Sequence, residues 1–205
     1  MKKIYLFIII LIFTLSGTAQ NNLDPSQILN KAVTVITQTK GVEAKFNLNN
    51  NSFSGKGVIK TSGTKYNVSL PDVEIWYNGK ELYTLNHNSG ETTLINPTEE
   101  EISESNPLAY VTNANLNYNV SFSTVKKPDK YVLELLPKKT KGDVKRVTLT
   151  IKKNNFYVEK IVIEPKSGSP VSAEITSFKT GASLPSSTFE YPKTKYPAIE
   201  IIDLR

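Results

Sequence analysis

The stretch "IWYNGKELYTLNHNSGETTLINP", residues 75–97, decides how the rest of the chain is interpreted. Short runs rich in β-branched and aromatic residues are separated by the turn sequences Asn78-Gly79 and Asn88-Ser89-Gly90. Asn-Gly between two such runs favours a type I′ hairpin turn, and turns this short join antiparallel strands. The stretch therefore predicts an antiparallel meander.

The same pattern continues on both sides of this stretch. In residues 42–49 apolar side chains alternate with Glu, Lys and Asn, which is typical of a strand with one dry face and one wet face. Counting similar runs predicts about eleven strands. They lie near residues 42–49, 53–60, 64–70, 73–77, 81–86, 91–95, 117–124, 130–136, 144–152, 156–164 and 171–179.

Two segments are typical of helices. Residues 24–40 begin with Asp24 as a cap, Pro25 at the first helical position and Gln27 as a capping-box partner. Residues 96–114 predict two short helices, the first capped by Thr98. Glu99, Glu100 and Glu101 suit a helix N-terminus better than a metal site, because consecutive helical residues point in different directions.

A sheet of this width curls or closes, and these helices are the only cover that the sequence offers. A mainly β fold, an incomplete antiparallel barrel with a helical lid, would enclose an apolar hollow. Residues expected to line the hollow are Phe46, Leu48, Tyr66, Val68, Trp76, Tyr83, Leu85 and Leu94. Residues expected in the lid are Ile28, Ala32, Ile36, Leu108 and Val111. For Trp76, plain core and a water-facing rim are open alternatives.

The first 19 residues have the pattern of a secretory signal peptide, with basic Lys2 and Lys3, an apolar run and a small-residue end at Ala19. Cleavage there would leave one exported domain, residues 20–205. The chain has no cysteine, so its core must form without disulfides, which a chain of this length can do.

Positive charge is concentrated in two predicted hairpins. The formal net charge is +6, and one of the two hairpins holds Lys138, Lys139, Lys141, Lys145 and Arg146. These are either solvated hairpin tips or a docking patch for an acidic partner or anionic headgroups. An exported protein with this mild balance is not expected to bind nucleic acid.

The sequence argues against an enzyme. His87 is its only histidine and lies in a turn, which is typical of a solvated residue. No G-x-S-x-G, G-x-G-x-x-G or Walker sequence is present, so no nucleophile or cofactor site is indicated. No cofactor and no metal are expected.

In the order of its parts the chain resembles the LolA family, periplasmic carriers of outer-membrane lipoproteins. "WYNGKELYTLN" (76–86) is similar to that family's most recognisable hairpin, and "VEAKFNL" (42–48) to its first strand. "SNPLAYV" (105–111) resembles a short helix over the cavity mouth, and "STFEYPKTKYPAIEIIDLR" (187–205) the family's C-terminal sequence.

The resemblance implies a half-barrel of eleven strands with a helical lid. It implies a carrier that takes acylated lipoproteins from an inner-membrane ABC-type complex, as a monomer, and gives them to an outer-membrane acceptor. Relatives carry a basic residue before a proline near residues 61–64, where this chain has Thr61-Ser62-Gly63-Thr64. The lid latch and the acceptor are therefore not carried over.

Two other functions fit the same residues. One is a periplasmic binder of another amphiphile, such as a glycolipid or an isoprenoid. The other is a scaffold that holds an envelope partner through its sheet edges and basic hairpins.

Overall fold

Twelve strands form one continuous sheet in the computed structural model, which describes residues 23–139 and 142–205. The strands are β1 (Val42–Asn49), β2 (Ser54–Ser62), β3 (Lys65–Ser69), β4 (Val73–Tyr77), β5 (Leu82–Asn86), β6 (Glu91–Ile95), β7 (Tyr118–Phe122), β8 (Lys130–Pro137), β9 (Val144–Lys152), β10 (Val158–Pro165), β11 (Val171–Thr180) and β12 (Glu200–Asp203). The expected signal peptide lies outside the described residues.

The order across the sheet is β12-β6-β5-β4-β3-β2-β1-β11-β10-β9-β8-β7. Two meanders, β1–β6 and β7–β11, are joined where β1 pairs with β11. Because β12 and β7 form opposite margins, the sheet is not closed into a barrel. The mainly β, half-open architecture is thus confirmed.

The strand count differs from the expectation by one. The sequence predicts about eleven antiparallel strands, and all of these positions are strands in the structure. The additional strand, β12, pairs in parallel with β6 through Ile201 and Thr92. Because this pairing is parallel and joins distant parts of the chain, no hairpin pattern in the sequence indicates the partner of β12.

Helix α1 (Pro25–Thr37) begins as predicted and ends three residues early. The Asp24 carboxylate accepts a hydrogen bond from the Gln27 N–H at 2.8 Å, which completes the capping box. Near its end the helix contains several β-branched residues, which lower helix propensity. These residues account for an end at Thr37 rather than at Lys40.

The insert between β6 and β7 contains three short helices instead of two. These are α2 (Glu99–Ser105), α3 (Ala109–Thr112) and α4 (Ala114–Asn117). The Asn106 side chain accepts from the Leu108 N–H at 2.9 Å and so separates α2 from α3. Within the described residues, no helix is both long and apolar enough to cross a membrane.

Both faces of the sheet are covered over part of its area. We call the face beneath α1 and the insert the inner face, and its apolar side chains form the larger core together with those of the helices. We call the opposite face of β4–β6 the outer face, and it is covered by the C-terminal segment, residues 186–203. A second, smaller cluster forms there around Trp76.

Candidate functional site

The inner face brings together the predicted lid residues and part of the predicted lining. Phe46, Tyr66 and Val68 are buried there, and Leu48 is partly buried at its border. The five lid residues are all buried in the same core: Ile28, Ala32, Ile36, Leu108 and Val111. In this structure the helices pack directly on the sheet, so their side chains occupy the space that the sequence predicts as a hollow.

The other four predicted lining residues lie on the outer face. Trp76, Tyr83, Leu85 and Leu94 pack in the second cluster, away from the helices. Trp76 faces Tyr83 across the β4–β5 ladder, and Tyr83 faces Leu94 across the next. Their expected placement on one face with Phe46 is therefore wrong, because side chains alternate along a strand and Tyr77, not Trp76, points inward.

The outer cluster is an aromatic assembly. Tyr191 from the C-terminal segment stacks on Tyr83 with ring centroids 5.1 Å apart and meets the edge of Trp76 at 5.3 Å. The Tyr196 hydroxyl donates to Glu74 at 3.1 Å. Trp76 therefore lies in the core of the outer face and not beneath the helices.

A cleft of about 420 Å³ opens between the end of α1, the β2–β3 turn and the insert. Its apolar walls come from both the sheet and the helices. Ile36, Tyr77, Ile102, Leu108 and Leu116 line it. Because these residues belong to different elements, any shift of α2 or α3 against the sheet changes the size of this cleft.

A second cleft, of about 340 Å³, lies on the other side of the insert, against the start of β7 and the β8–β9 hairpin. Leu116 and Asn117 line both clefts. Leu116 is 76% exposed, the highest exposed fraction among the large apolar side chains of the described residues. Leu116 therefore places an exposed apolar side chain between the two clefts.

One polar contact ties the insert to the sheet from within the core. The hydroxyl groups of Tyr66 and Ser105 are 2.6 Å apart. Because Ser105 donates its single proton to the Glu101 carbonyl at 2.7 Å, we assign Tyr66 as the donor in the shared bond. Burial raises the pKa of Tyr66 to about 12, so this hydroxyl keeps its proton at neutral pH.

Further contacts hold the helices at their exposed sides. Asn115 donates to Asn30 at 2.6 Å, which joins α4 to α1. Lys138 donates to the Asn115 carbonyl at 2.7 Å, which joins α4 to the end of β8. Exposed single hydrogen bonds contribute little net stability, so these tethers can be exchanged for water at modest cost.

The predicted basic patch is partly neutralised. Arg146 pairs with Glu134 at 2.9 Å and with Glu164 at 2.5 Å, and Lys145 pairs with Glu164 at 2.7 Å. Lys138 is engaged with α4 as described, Lys139 is exposed, and Lys141 lies outside the described residues.

The acidic helix α2 faces this hairpin. Partial burial, with Glu100, Asp143 and Glu101 nearby, raises the pKa of the Glu104 carboxyl. Glu101 is instead the capping-box partner of Thr98. The hydrogen bond from the Thr98 backbone N–H lowers the pKa of the Glu101 carboxyl. Within the described ranges, no three His, Asp or Glu side chains come together as a metal site.

Sequence reasoning missed Tyr77, Ile102, Ser105 and Leu116. A signal for Tyr77 was present, since the unbroken apolar run of residues 75–77 is typical of a strand buried on both faces. Leu116 lies between the predicted helices of residues 96–114 and the strand predicted near residues 117–124, so the pattern carried no sign of its exposure.

The candidate site is the apolar inner face of an open sheet, covered by α1 and the short helices of the insert. The sequence model of the family described as outer membrane lipoprotein carrier protein LolA matches residues 15–165, more than half of the chain. The chain therefore belongs to this family. None of the curated proteins matches it in sequence.

Solved structures are similar to this chain at low sequence identity, and the first of them shares its fold. An uncharacterized conserved protein from Thermus thermophilus has a TM-score of 0.60 at 10% identity, over 87% of this chain and 98% of its own. A LolA superfamily protein from Nitrosomonas europaea has a TM-score of 0.45 at 14% identity, over 83% and 99%. A putative outer membrane lipoprotein-sorting protein domain from Vibrio parahaemolyticus has 0.46 at 8%, over 82% and 96%.

Proposed function

We propose that the protein is a periplasmic carrier that shields the acyl chains of lipoproteins and moves them from the inner to the outer membrane. Membership of the LolA family supports this function. The observation that carries it is an apolar inner face under short helices, with the 420 Å³ cleft opening at their contact with the sheet. The protein acts by binding and needs no catalytic group or cofactor.

The energetic task explains why the inner face must be apolar. Burial is worth about 0.8 kcal/mol per CH₂, so a chain of ~16 carbons entering water would lose roughly 13 kcal/mol. A carrier must offset most of this loss and still release its cargo. Displacing side chains that already pack on one another costs part of the gain, and this cost keeps binding reversible.

The insert is suited to move because its helices are too short to be stable alone. Isolated helices shorter than about 12 residues are marginal in water, so α2, α3 and α4 owe their stability to packing on the inner face. An acyl chain entering the cleft competes for that packing at Ile102, Leu108 and Tyr77. The insert and α1 then act as the lid.

We assign the same partners that the family implies. The donor is an inner-membrane ABC-type complex, since the function needs energy from a partner, and the acceptor in the outer membrane is left open. The protein works as a monomer and binds no nucleic acid. Lys138 and Lys139 lie beside the 340 Å³ cleft and form no ion pair among the described residues, unlike Lys145 and Arg146. These two lysines are therefore the docking candidates.

Native mass spectrometry with a synthetic triacylated lipopeptide tests the proposal. We expect a one-to-one complex with the protein and much less complex with Leu116→Asp, which places a charge between the clefts. Leu204→Asp is the matched control, because Leu204 is also exposed, at 62%, but lies at the C-terminus. Absence of any complex, or equal loss in both variants, would contradict the proposal.

A second function is favoured by the size of the larger cleft. A volume of about 420 Å³ falls within the range of ordinary small-ligand sites, roughly 300–1,000 Å³. The protein would then bind a single-chain amphiphile, such as an isoprenoid or a glycolipid. Uptake of a single-chain lipid without uptake of the triacylated lipopeptide would favour this function, and uptake of neither would favour an envelope scaffold.

A further inference from the structure

Strand β7 forms one margin of the sheet and has β8 as its only neighbour among the described strands. On the inner side Tyr118 and Val120 pack against the core. On the other side Asn119 and Ser121 are exposed. The strand is therefore supported on one face and along one edge, while its second edge is left without a strand partner.

The hydrogen-bond pattern shows which backbone groups point to that open edge. Asn117 accepts from the Lys138 N–H, and the Ser123 N–H donates to Val132, both at 2.9 Å. Hydrogen-bonded positions alternate along an antiparallel ladder, so 119 and 121 also face β8. The N–H and C=O groups of Val120 and Phe122 then point away from the sheet.

The sequence of this edge lacks the charges and prolines that usually block pairing, although α1 lies close to β7. Natural edge strands carry charges, prolines or bulges that block another strand. Residues 116–125 contain no charged residue and no proline, and Phe122 is 51% exposed. The opposite margin differs, since β12 contains Glu200 and Asp203 and is followed by Arg205.

Charge around the edge favours an acidic occupant. Lys126 and Lys127 follow the strand, are exposed, and enter no ion pair among the described residues. A second copy pairing antiparallel would bring these lysines towards Lys138 and Lys139, which lie beside the start of β7. Like charges at such a contact are unfavourable, so the pattern disfavours self-pairing.

The edge also begins where the proposed acyl site ends. Leu116 and Asn117 line both clefts and lead directly into Tyr118, the first residue of β7. The polypeptide of a lipoprotein must leave the carrier beside its acyl chains. A chain leaving at Leu116 meets first the open edge and then the two lysines.

We propose that β7 binds an extended acidic segment of the cargo polypeptide, next to its acylated end, by addition of a strand to the sheet. The segment runs parallel to β7, bonds through the outward groups of Val120 and Phe122, and places carboxylates near Lys126 and Lys127. The inference rests on the proposed carrier function for the identity of its occupant. Strand addition itself requires no acyl group.

An unacylated peptide tests strand addition at β7 separately from the carrier function. The probe is a fluorescein-labelled peptide of alternating Thr and Val that ends in three Asp residues, and the comparison peptide ends in three Lys. Fluorescence anisotropy should show binding of the Asp peptide, at least about tenfold tighter than the Lys peptide at low salt, with the difference reduced at high salt. Uptake of the triacylated lipopeptide is measured in parallel.

Phe122→Pro removes an outward N–H without removing a ladder bond to β8, and edge strands tolerate proline at such positions; Phe122 is half exposed and lies outside the inner core. We expect about a tenfold loss of Asp-peptide binding, with lipopeptide uptake retained as evidence that the variant is folded. The double variant Lys126→Glu/Lys127→Glu should weaken binding similarly. Lys45→Glu/Lys179→Glu is its control, because both lysines are exposed on central strands.

The proposal is overturned if both peptides bind alike, or if the lysine variant and its control behave alike. It is also overturned if Phe122→Pro keeps full binding, or if the edge supports reversible dimerisation in sedimentation. Binding of phosphatidylglycerol vesicles without binding of the Asp peptide would assign Lys126 and Lys127 to a membrane contact instead. If the wild-type protein takes up no lipopeptide, the carrier function is overturned. Binding of the Asp peptide is then judged separately.

Discussion

The two covers of the sheet are built in different ways. The outer face is covered by the C-terminal segment, which adds a strand to β6 and stacks Tyr191 on Tyr83. Arg205 then pairs with Glu81 and Asp203 at the end of the chain. The inner face is covered by α1 and three short helices, tied to the sheet by side-chain packing and by the Tyr66–Ser105 bond.

The difference separates a fixed cover from a removable one. Backbone pairing of β12 with β6 anchors the segment whose Tyr191 and Tyr196 rings pack on Trp76. The insert meets the sheet mainly through side chains, with one backbone bond at its end from the Lys138 N–H to the Asn117 C=O, so it moves by exchanging side-chain contacts and a small number of hydrogen bonds. The proposed carrier function needs a rigid wall and a yielding one, and the two covers lie on opposite faces of the sheet.

The largest expected effect is on the free energy of unfolding, and it distinguishes Trp76 on the outer face from Tyr77 on the inner face. Trp76→Ala should lower the free energy of unfolding by about 3–5 kcal/mol, because it empties the outer cluster. Acyl uptake by the folded fraction should be retained. Tyr77→Ala, one residue along on the inner face, should change uptake because Tyr77 lines the larger cleft.

Urea unfolding and uptake of a fluorescent acyl probe, measured on both variants, check this contrast. Loss of uptake in folded Trp76→Ala, or unchanged uptake in Tyr77→Ala, would contradict the assignment of faces.

The next effect concerns the bond between insert and sheet. Ser105→Ala leaves the buried Tyr66 hydroxyl without its acceptor and should cost about 1–3 kcal/mol. Uptake of the acyl probe should become faster, because α2 separates more readily from β3. Stopped-flow fluorescence measures the rate.

Ser103→Ala is the matched control for that variant. Both serines donate to a carbonyl four residues back in α2, but only Ser105 also reaches the sheet. Equal uptake rates in the two variants would show that the Tyr66–Ser105 bond does not control the opening of the insert.

Loss of a helix cap should have a smaller and local effect. Asp24→Ala breaks the capping box of α1 and should cost about 1 kcal/mol, with faster amide exchange in residues 25–37. Thr98→Ala breaks the equivalent box of α2, so its effect should be confined to residues 99–105. Hydrogen exchange detected by mass spectrometry distinguishes the two. Spread of either effect to β12 would show that the covers are coupled.

The smallest expected effects are on the pH dependence of stability, where Asp203 and Glu104 contribute with opposite signs. Hydrogen bonds from the Arg205 side chain and backbone N–H lower the pKa of Asp203 from 3.8 to about 2, so this contribution to stability is complete above pH 3.8 and is lost as pH falls to about 2. Asp203→Asn should therefore reduce the melting temperature slightly at pH 7 and not at pH 2.

For Glu104 the sign is reversed. Its pKa is raised by burial and by neighbouring carboxylates, so its charged form weakens the fold and this cost disappears as pH falls through the raised pKa. Glu104→Gln should raise the melting temperature slightly at pH 7 and lose this advantage in acid. Thermal unfolding monitored across pH checks both variants, and shifts of the same sign would contradict the comparison.

Much of the fold could be predicted from the sequence because its signals are local. The Asn78-Gly79 turn, the alternation in residues 42–49 and the capping boxes at Asp24 and Thr98 each depend on a few neighbouring residues. The parallel pairing of β12 with β6 could not be predicted in this way, since Ile201 and Thr92 are far apart in the chain.

The site was harder to predict because it depends on which face each side chain occupies. Alternation separates the faces only where one face is polar. In β4 both Trp76 and Tyr77 are apolar and both are buried, so the pattern could not say which one lies under the helices. The Tyr66–Ser105 bond joins two elements with no sequence relation and became visible only in the folded chain.

Hydrogen exchange with and without the triacylated lipopeptide tests the central claim most directly. We expect cargo to change amide exchange in α1 and in residues 99–117, while residues 186–203 keep their protection. Protection lost or gained mainly in the C-terminal segment, with α1 and the insert unchanged, would contradict it.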